Sequence, residues 1–195
     1  MGSLRETRRT LTSPARRLSA ALRRCLGIFA QAEKRRENNP APLLLLLGAS
    51  ALRAEPLAPI DLIRVDKSER RMELWSGGRV VSVIEHIQLG DQPLGPKRFE
   101  GDERTPEGRY QIDWGNPDSA YHLSLHISYP NTADREYAAG QGRSPGGMIM
   151  IHGQPNGSDR RPAGDWTDGC IAVSNAQIEM LWQSVGDGTP IEILP

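Results

Sequence analysis

The feature that most constrains the fold is the way turns cut residues 60–195 into short apolar segments. A polar turn separates the apolar residues 62–65 from an alternating segment at 71–76, and Gly77-Gly78 leads into the apolar residues 80–89. Alternation with a period of two, together with many Val and Ile residues, is typical of half-buried strands. The sequence therefore predicts a mainly β domain that opens with a β-hairpin. Further strands are expected at 109–114, 121–128 and 191–194.

Helices are expected in two short segments. Ser174 and Gln177 have the spacing of a capping box, in which each side chain bonds the other residue's backbone N–H. Apolar residues then recur at i, i+3, i+4 and i+7, which predicts an amphipathic helix from about 175 that ends near Gly186. A second short helix is predicted over 131–139.

The candidate catalytic residues are a histidine and a cysteine that lie 18 residues apart in the sequence. His152 ends an apolar segment, and Cys170 follows a Thr-Asp-Gly turn. A thiol needs a base beside it to react near neutral pH, and histidine is the usual base. A thiolate–imidazolium pair would stabilise both charges, so this spacing predicts a cysteine acyltransferase. A buried, inert cysteine and a core histidine are the alternatives.

The turn before the cysteine supplies further candidates. Attack on a carbonyl creates an oxyanion that needs preorganised donors, and the N–H groups of Gly169 and Cys170 are the natural choices. Thr167 and Asp168 give the thiol a polar approach, and Thr167 is a candidate substrate contact. Asp168 is expected to be a solvated loop carboxylate.

Four stretches together resemble the catalytic domain of the L,D-transpeptidase (YkuD-type) family. They are residues 101–110, residues 125–131, the His-Gly pair at 152–153 and the Thr-Asp-Gly-Cys sequence at 167–170. The resemblance covers roughly residues 60–195. The family often has His where this chain has Asp168, and Arg or Asn where it has Ala172. That variation resembles the branch that includes enzymes of the peptidoglycan–lipoprotein link.

The resemblance implies a β-sandwich or barrel-like fold and a cysteine enzyme that acts on peptidoglycan stem peptides without a metal or cofactor. It implies Cys170 as nucleophile and His152 as base, with the Gly153 carbonyl orienting the imidazole. His126 would line the substrate cleft and Arg104 would meet a stem carboxylate. The expected product is a cross-link made through a thioester.

Three alternatives stay open. Water rather than an amine could resolve the thioester, which would make the protein an amidase or carboxypeptidase that releases lipoprotein or D-alanine. The chain could instead be a peptidoglycan-binding module with a vestigial dyad. A zinc site built from His152, Cys170 and one of His122 or His126 lacks the usual ligand spacing.

The net charge of zero conceals two oppositely charged parts. Residues 1–39 hold ten Lys/Arg and three Asp/Glu, a net of +7, whereas the remainder has a net charge of −7. A nucleic-acid partner would need its basic side chains on the folded domain, so none is expected. We expect a monomer, with an envelope lipoprotein as a further candidate partner.

The N-terminal part has the order of a secretory signal. Its basic head is followed by a leucine run at 43–47 and a small-residue site at Ala49–Ala51. Cleavage would remove Cys25 and leave Cys170 as the one thiol. We therefore expect a basic segment plus signal at 1–54, a catalytic domain at 55–195 and a periplasmic location. The alternative for residues 16–29 is an amphipathic helix on a membrane surface.

Overall fold

The computed structural model describes residues 58–158 and 160–195. The predicted signal and basic segment lie outside the described residues. The described part contains eight strands and two helices. Their bounds are β1 (Leu62–Asp66), β2 (Arg71–Ser76), β3 (Arg79–Glu85), β4 (Gly108–Asn116), β5 (Ser124–Ile127), α1 (Thr132–Gly140), β6 (Met150–His152), β7 (Ile171–Ala172), α2 (Asn175–Ser184) and β8 (Pro190–Leu194). The mainly β class with two short helices is confirmed.

The strands form one sheet in the order β3-β2-β1-β8-β4-β5-β6-β7. The opening strands β1, β2 and β3 pair antiparallel as consecutive hairpins, as predicted. The strand β8 lies between β1, to which it is parallel, and β4, to which it is antiparallel. A register shift between Ile112 and Trp114 lets β4 pair with β8 at one end and with β5 at the other.

The core lies along this sheet and under α2. Alternate residues of β1 and β2 are buried, and Ile63, Val65, Met72 and Leu74 are fully enclosed. The helix α2 begins at the predicted capping box, where Ser174 Oγ accepts from Gln177 N–H and the Gln177 side chain accepts from Ser174 N–H. Its Ile178 and Leu181 are buried in the same core.

The strand predicted at 121–128 is shorter than expected. It begins at Ser124, because His122 has a φ of +69° and a non-glycine residue in that region interrupts an extended strand. The apparent alternation of 121–123 therefore belongs to a turn. His122 instead contacts Glu179 of α2, with its Nε2 2.6 Å from the carboxylate.

Candidate active site

The strands β6 and β7 bring His152 and Cys170 to neighbouring positions in the sheet. They pair in parallel with Ile151 opposite Ile171 and His152 opposite Ala172. That register places Cys170 beside Met150. Since residues two apart in a strand share a face, His152 lies on the same face as Met150, roughly 7 Å farther along β6.

The backbone of β6 and the residues before it hold the thiol. Cys170 Sγ accepts from the N–H of Met150 at 3.4 Å and lies 3.7 Å from the carbonyl oxygen of Met148. Met148 has a φ of +57°, a backbone conformation that is uncommon for a non-glycine residue, and its side chain is 65% exposed. Among the contacts of the described residues, no hydrogen bond joins the thiol directly to the imidazole.

His152 is buried and its ring is fixed. Nδ1 lies 2.7 Å from the carbonyl oxygen of Gly153, the contact that the resemblance implied. A carbonyl only accepts, so this contact assigns the proton to Nδ1 and leaves Nε2 as the basic nitrogen. Tyr121 packs on the ring at a tilt of 33° with centroids 4.5 Å apart, and Trp166 contacts it edge-on at 5.7 Å.

Burial dominates the protonation states of both residues. Burial lowers the pKa of His152, against the opposing effect of the Gly153 carbonyl. Burial also raises the pKa of the Cys170 thiol, against the Met150 N–H, which lowers it. In the free protein both directions act against the thiolate–imidazolium pair, which stays a prediction from the sequence. His152 is therefore suited to remove the thiol proton as attack occurs.

The turn that carries the thiol is closely packed. Gly169 has a φ of +128°, and a Cβ there would lie 2.5 Å from the backbone carbonyl oxygen of Arg104. Gly90 is similarly confined, since its Cβ would lie 2.2 Å from the Glu103 carbonyl oxygen. These glycines let the 90–107 loop pack directly against the nucleophile turn.

Thr167 organises this turn from within. Its hydroxyl donates to the Cys170 carbonyl at 2.7 Å and accepts from the Gly169 N–H at 3.2 Å. The Gly169 N–H is therefore already bonded, unlike the free oxyanion donor expected from the sequence. The Cys170 N–H donates to no acceptor among the described residues, so it is the better candidate. The arrangement gives Thr167 a positioning contact within the turn, and its contact with substrate stays a prediction.

Among the described residues, the side chains of the remaining predicted residues, His126 and Arg104, make no hydrogen bond with Cys170 or His152 but have partners elsewhere. His126 pairs with Met150 across β5 and β6, but its Nδ1 contacts Asp113 at 2.6 Å and its ring stacks on Trp114. Arg104 touches the nucleophile turn through its backbone. Its guanidinium lies beside Gly95. The described residues bring no three His, Cys, Asp or Glu side chains together as a metal site.

A cleft of about 660 Å³ opens beside the Thr-Asp-Gly-Cys turn, and neither Cys170 nor His152 is among the residues that line it. Lys97 and Glu103 of the 90–107 loop line it, as do Met148 and Asp168 from either side of the nucleophile. Sequence reasoning assigned no role to Lys97, Tyr121 or Trp166, because no local spacing links them to the His/Cys pair. Trp166 directly precedes the Thr-Asp-Gly-Cys turn, and that adjacency was the one available signal.

No helix in the described ranges is long and apolar enough to cross a membrane.

Comparison with known proteins identifies relatives for this arrangement. Residues 60–193 match the L,D-transpeptidase catalytic domain family (YkuD). YafK of Escherichia coli (strain K12) is 31% identical over 133 residues, which are 63% of this chain and 46% of YafK. The chain thus spans about half the length of that relative.

Two solved structures share the fold. The helical cell shape determining protein Pgp2 from Campylobacter jejuni is 28% identical with a TM-score of 0.57, over 70% of this chain and 48% of that one. Bd1075 from Bdellovibrio bacteriovorus is 25% identical with a TM-score of 0.51, again over 70% of this chain and 48% of that one.

Proposed function

The chain belongs to the L,D-transpeptidase catalytic domain family, and on that premise we propose that it is a cysteine acyltransferase for the tetrapeptide stems of peptidoglycan. The observation that carries this proposal is the placement of His152 and Cys170. The Gly153 carbonyl holds the proton on Nδ1 and leaves Nε2 basic, and the pairing of β6 with β7 supports a position for the thiol near this imidazole.

In the first half-reaction, His152 Nε2 takes the proton from Cys170 Sγ as sulfur attacks the carbonyl that precedes the terminal D-alanine. The Cys170 N–H donates to the resulting oxyanion. Collapse breaks the C–N bond, and His152 returns the proton to the departing D-alanine amine. A thioester between Cys170 and the diamino acid remains.

In the second half-reaction, an acceptor amine attacks the thioester. His152 takes a proton from that amine, the C–S bond breaks, and the thiol is restored with the proton. The product is a peptide cross-link, or an attached lipoprotein where the lipoprotein supplies the amine. Water as the acceptor gives a shortened stem instead.

The proposal extends to the setting of the reaction. The order of basic, apolar and small residues before residue 55 supports export to the periplasm, where this substrate lies. Since Pgp2 determines helical cell shape, we propose a role in wall remodelling and shape for this chain too. We expect a monomer, which size-exclusion chromatography with light scattering tests directly.

The deciding experiment incubates the purified full chain with tetrapeptide muropeptides and follows the products by mass spectrometry. Cys170→Ala is the inactive partner, and Cys170→Ser distinguishes thiolate chemistry from simple loss of a side chain. Cross-linked dimers made only by the unaltered chain would establish a transpeptidase. Cysteine-dependent shortened stems without dimers would establish the hydrolytic reaction. Stem binding without turnover, with lipoprotein supplied as acceptor, would contradict both and favour a binding module.

A further inference from the structure

The cleft beside the Thr-Asp-Gly-Cys turn is lined by one buried cation. Lys97 lines the cleft, and its side chain is only 4% exposed. Met148, whose carbonyl lies 3.7 Å from Cys170 Sγ, lines the same cleft. A ligand in contact with Lys97 would therefore lie next to a residue whose backbone holds the thiol.

The ammonium group of Lys97 has a donor to spare. Nζ donates to the Asp102 carboxylate at 2.9 Å and to the Phe99 carbonyl at 3.1 Å. An ammonium carries three N–H donors, and the third has no acceptor among the described residues. A buried charged group with an unmatched donor is costly, and an anionic ligand oxygen would supply the missing bond.

The second buried lysine shows that the spare donor is particular to Lys97. Lys67 is also enclosed, with a side chain 3% exposed. Its Nζ donates to the carbonyls of Gly95 and Thr105 and to the Glu107 carboxylate, at 2.7, 3.1 and 2.8 Å. Its three donors are all matched, so Lys67 fastens the 90–107 loop to β1 and has nothing left for a ligand.

Asp102 fixes the position of the Lys97 ammonium. Its carboxylate also accepts from the N–H groups of Arg98 and Phe99, at 2.6 and 2.9 Å. Burial alone would raise the pKa of Asp102, but the bonds from Arg98, Lys97 and Phe99 together lower it, so the carboxylate stays ionised. The positive charge of Lys97 also lowers the pKa of Cys170, as a cation near the sulfur does.

We propose that Lys97 binds a carboxylate of the donor stem peptide and thereby sets which stems place their scissile carbonyl at Cys170. This inference rests on the proposed function and names the substrate group that the same cleft recognises. Two of the free carboxylates of a tetrapeptide lie beside the scissile bond, on the terminal D-alanine and on the side chain of the diamino acid, and one of these two is the proposed ligand. The other ionisable groups lining the cleft, Glu100, Glu103 and Asp168, are acidic, which disfavours polyanions and suits a ligand that also carries an amine.

The test measures binding without turnover. The full chain with Cys170→Ala is titrated calorimetrically with the free tetrapeptide, with a peptide amidated at the terminal D-alanine, and with one amidated at the diamino-acid side chain. The same titrations are repeated with Cys170→Ala/Lys97→Met. Loss of one charge-assisted bond predicts about tenfold to hundredfold weaker binding of the free tetrapeptide by the double variant.

The amides identify which carboxylate is bound. We expect one amide to weaken binding to the Cys170→Ala protein as much as Lys97→Met does, and to cause no further loss in the double variant. Equal losses from amidation with and without Lys97 would overturn the inference. So would equal affinity of the Cys170→Ala protein for all three peptides, an outcome that requires no Lys97 variant to fold.

Lys67→Met is the matched control. It removes a buried lysine that lacks a spare donor, so it should lower the melting temperature without changing the order of the three affinities. Turnover by the unaltered chain separates the two proposals. Lys97-dependent binding without turnover would keep the carboxylate site and contradict the enzyme, whereas turnover indifferent to Lys97 would do the reverse.

Discussion

The two ends of the sheet are built in different ways. From β3 to β4 the strands are five to nine residues long, whereas β5, β6 and β7 have four, three and two residues. The long strands carry a continuous ladder and most of the alternating core. The short strands carry His152 and lead to Cys170, and they depend on contacts from loops. Substitutions in the long strands should therefore change mainly stability, whereas substitutions around the short strands should change mainly catalysis.

Hydrogen bonds from neighbouring loops hold the short strands in place. The segment 87–90 flanks the outer edge of β7, with reciprocal backbone bonds between Gln88 and Ala172. The Gln88 side chain in turn donates to the carbonyls of Pro162 and Gly164, which ties the 154–166 loop to the same edge. The site is thus held from outside the sheet as well as within it.

Gly169→Ala should have the largest effect on turnover, because Gly169 is closely packed against the backbone of the 90–107 loop. The new Cβ would lie 2.5 Å from the Arg104 carbonyl oxygen, in a backbone conformation that already disfavours alanine. A displacement of about 1 Å at a reacting group can cost a hundredfold in rate. We expect at least that loss in kcat/KM for tetrapeptide turnover.

Gly188→Ala provides the matched control for Gly169→Ala. Gly188 has a φ of +87°, but a Cβ there would have no atom of the described residues within 4 Å beyond its chain neighbours. It should cost about 1–3 kcal/mol of stability through strain alone and leave turnover unchanged. Equal losses of activity in the two variants would show that the contact with Arg104 does not matter.

Leu74→Ala changes the long-strand end of the sheet, where it should lower stability and leave the rate of turnover unchanged. Leu74 is fully buried in β2, so its truncation should lower the free energy of unfolding by about 2–5 kcal/mol. Urea denaturation measures this loss, while kcat of the folded fraction should stay close to that of the unaltered chain. Val81→Ala, at a site 42% exposed on β3, should change stability by less than about 0.5 kcal/mol. A fall in kcat for Leu74→Ala would contradict the proposal that the long strands affect stability without affecting catalysis.

Thr167→Val should have an intermediate effect on turnover. It removes the hydroxyl that bridges the Gly169 N–H and the Cys170 carbonyl, at a cost of about 1–3 kcal/mol for the unmatched groups. We expect kcat to fall about tenfold with KM little changed, as measured by steady-state kinetics. Thr167→Ser keeps the bridge and should retain most activity. A change confined to KM would instead favour the direct substrate contact predicted from the sequence.

The buried imidazole should make stability depend on pH. Since burial lowers the pKa of His152 in the folded chain, its contribution is fully present above the unfolded pKa of about 6.5 and is lost as pH falls toward the folded pKa. Melting temperatures across pH 5–8 should therefore fall more steeply on the acid side for the unaltered chain than for His152→Gln. Parallel curves would contradict a neutral, buried His152.

The smallest expected effects concern the reactivity of the thiol. Burial raises the pKa of Cys170, and Asp168 raises it further while Lys97 lowers it. The pH midpoint of alkylation by iodoacetamide should therefore move down in Asp168→Asn and up in Lys97→Met. Glu100→Gln alters a cleft carboxylate that is not among the charges found to act on the thiol, and it should leave the midpoint in place. Shifts in the opposite directions would contradict this charge arrangement.

Local patterns predicted the elements of this fold better than their arrangement. The capping box at Ser174 predicted the start of α2, and the Gly77-Gly78 turn predicted the second hairpin. Both succeeded because the residues that carry each pattern lie within or next to the element that they predict. The alternation at 121–128 gave a wrong strand start because it is also a local pattern. It describes side chains but not the left-handed backbone at His122, which turns the chain into β5.

The site was predictable only in part. The sequence identified Cys170 and His152 as the candidate pair because their spacing is local enough to read. Contacts of His152 with Tyr121 and Trp166, and the position of Lys97 in the cleft, join segments brought together by the sheet order. The directions in which the two pKa values move also depend on burial, which no residue pattern gives directly.

The central position of β8 has a consequence for how the molecule is made. The hairpins β1–β3 and the strands β4–β7 are joined within the sheet through residues 190–194, so neither part can complete its ladder until those residues have been synthesised. Until then, the facing edges of β1 and β4 remain unpaired and open to other strands. A chain truncated before residue 190 would thus present two half-sheets with exposed edges, and it should be more readily digested by proteases than the full chain.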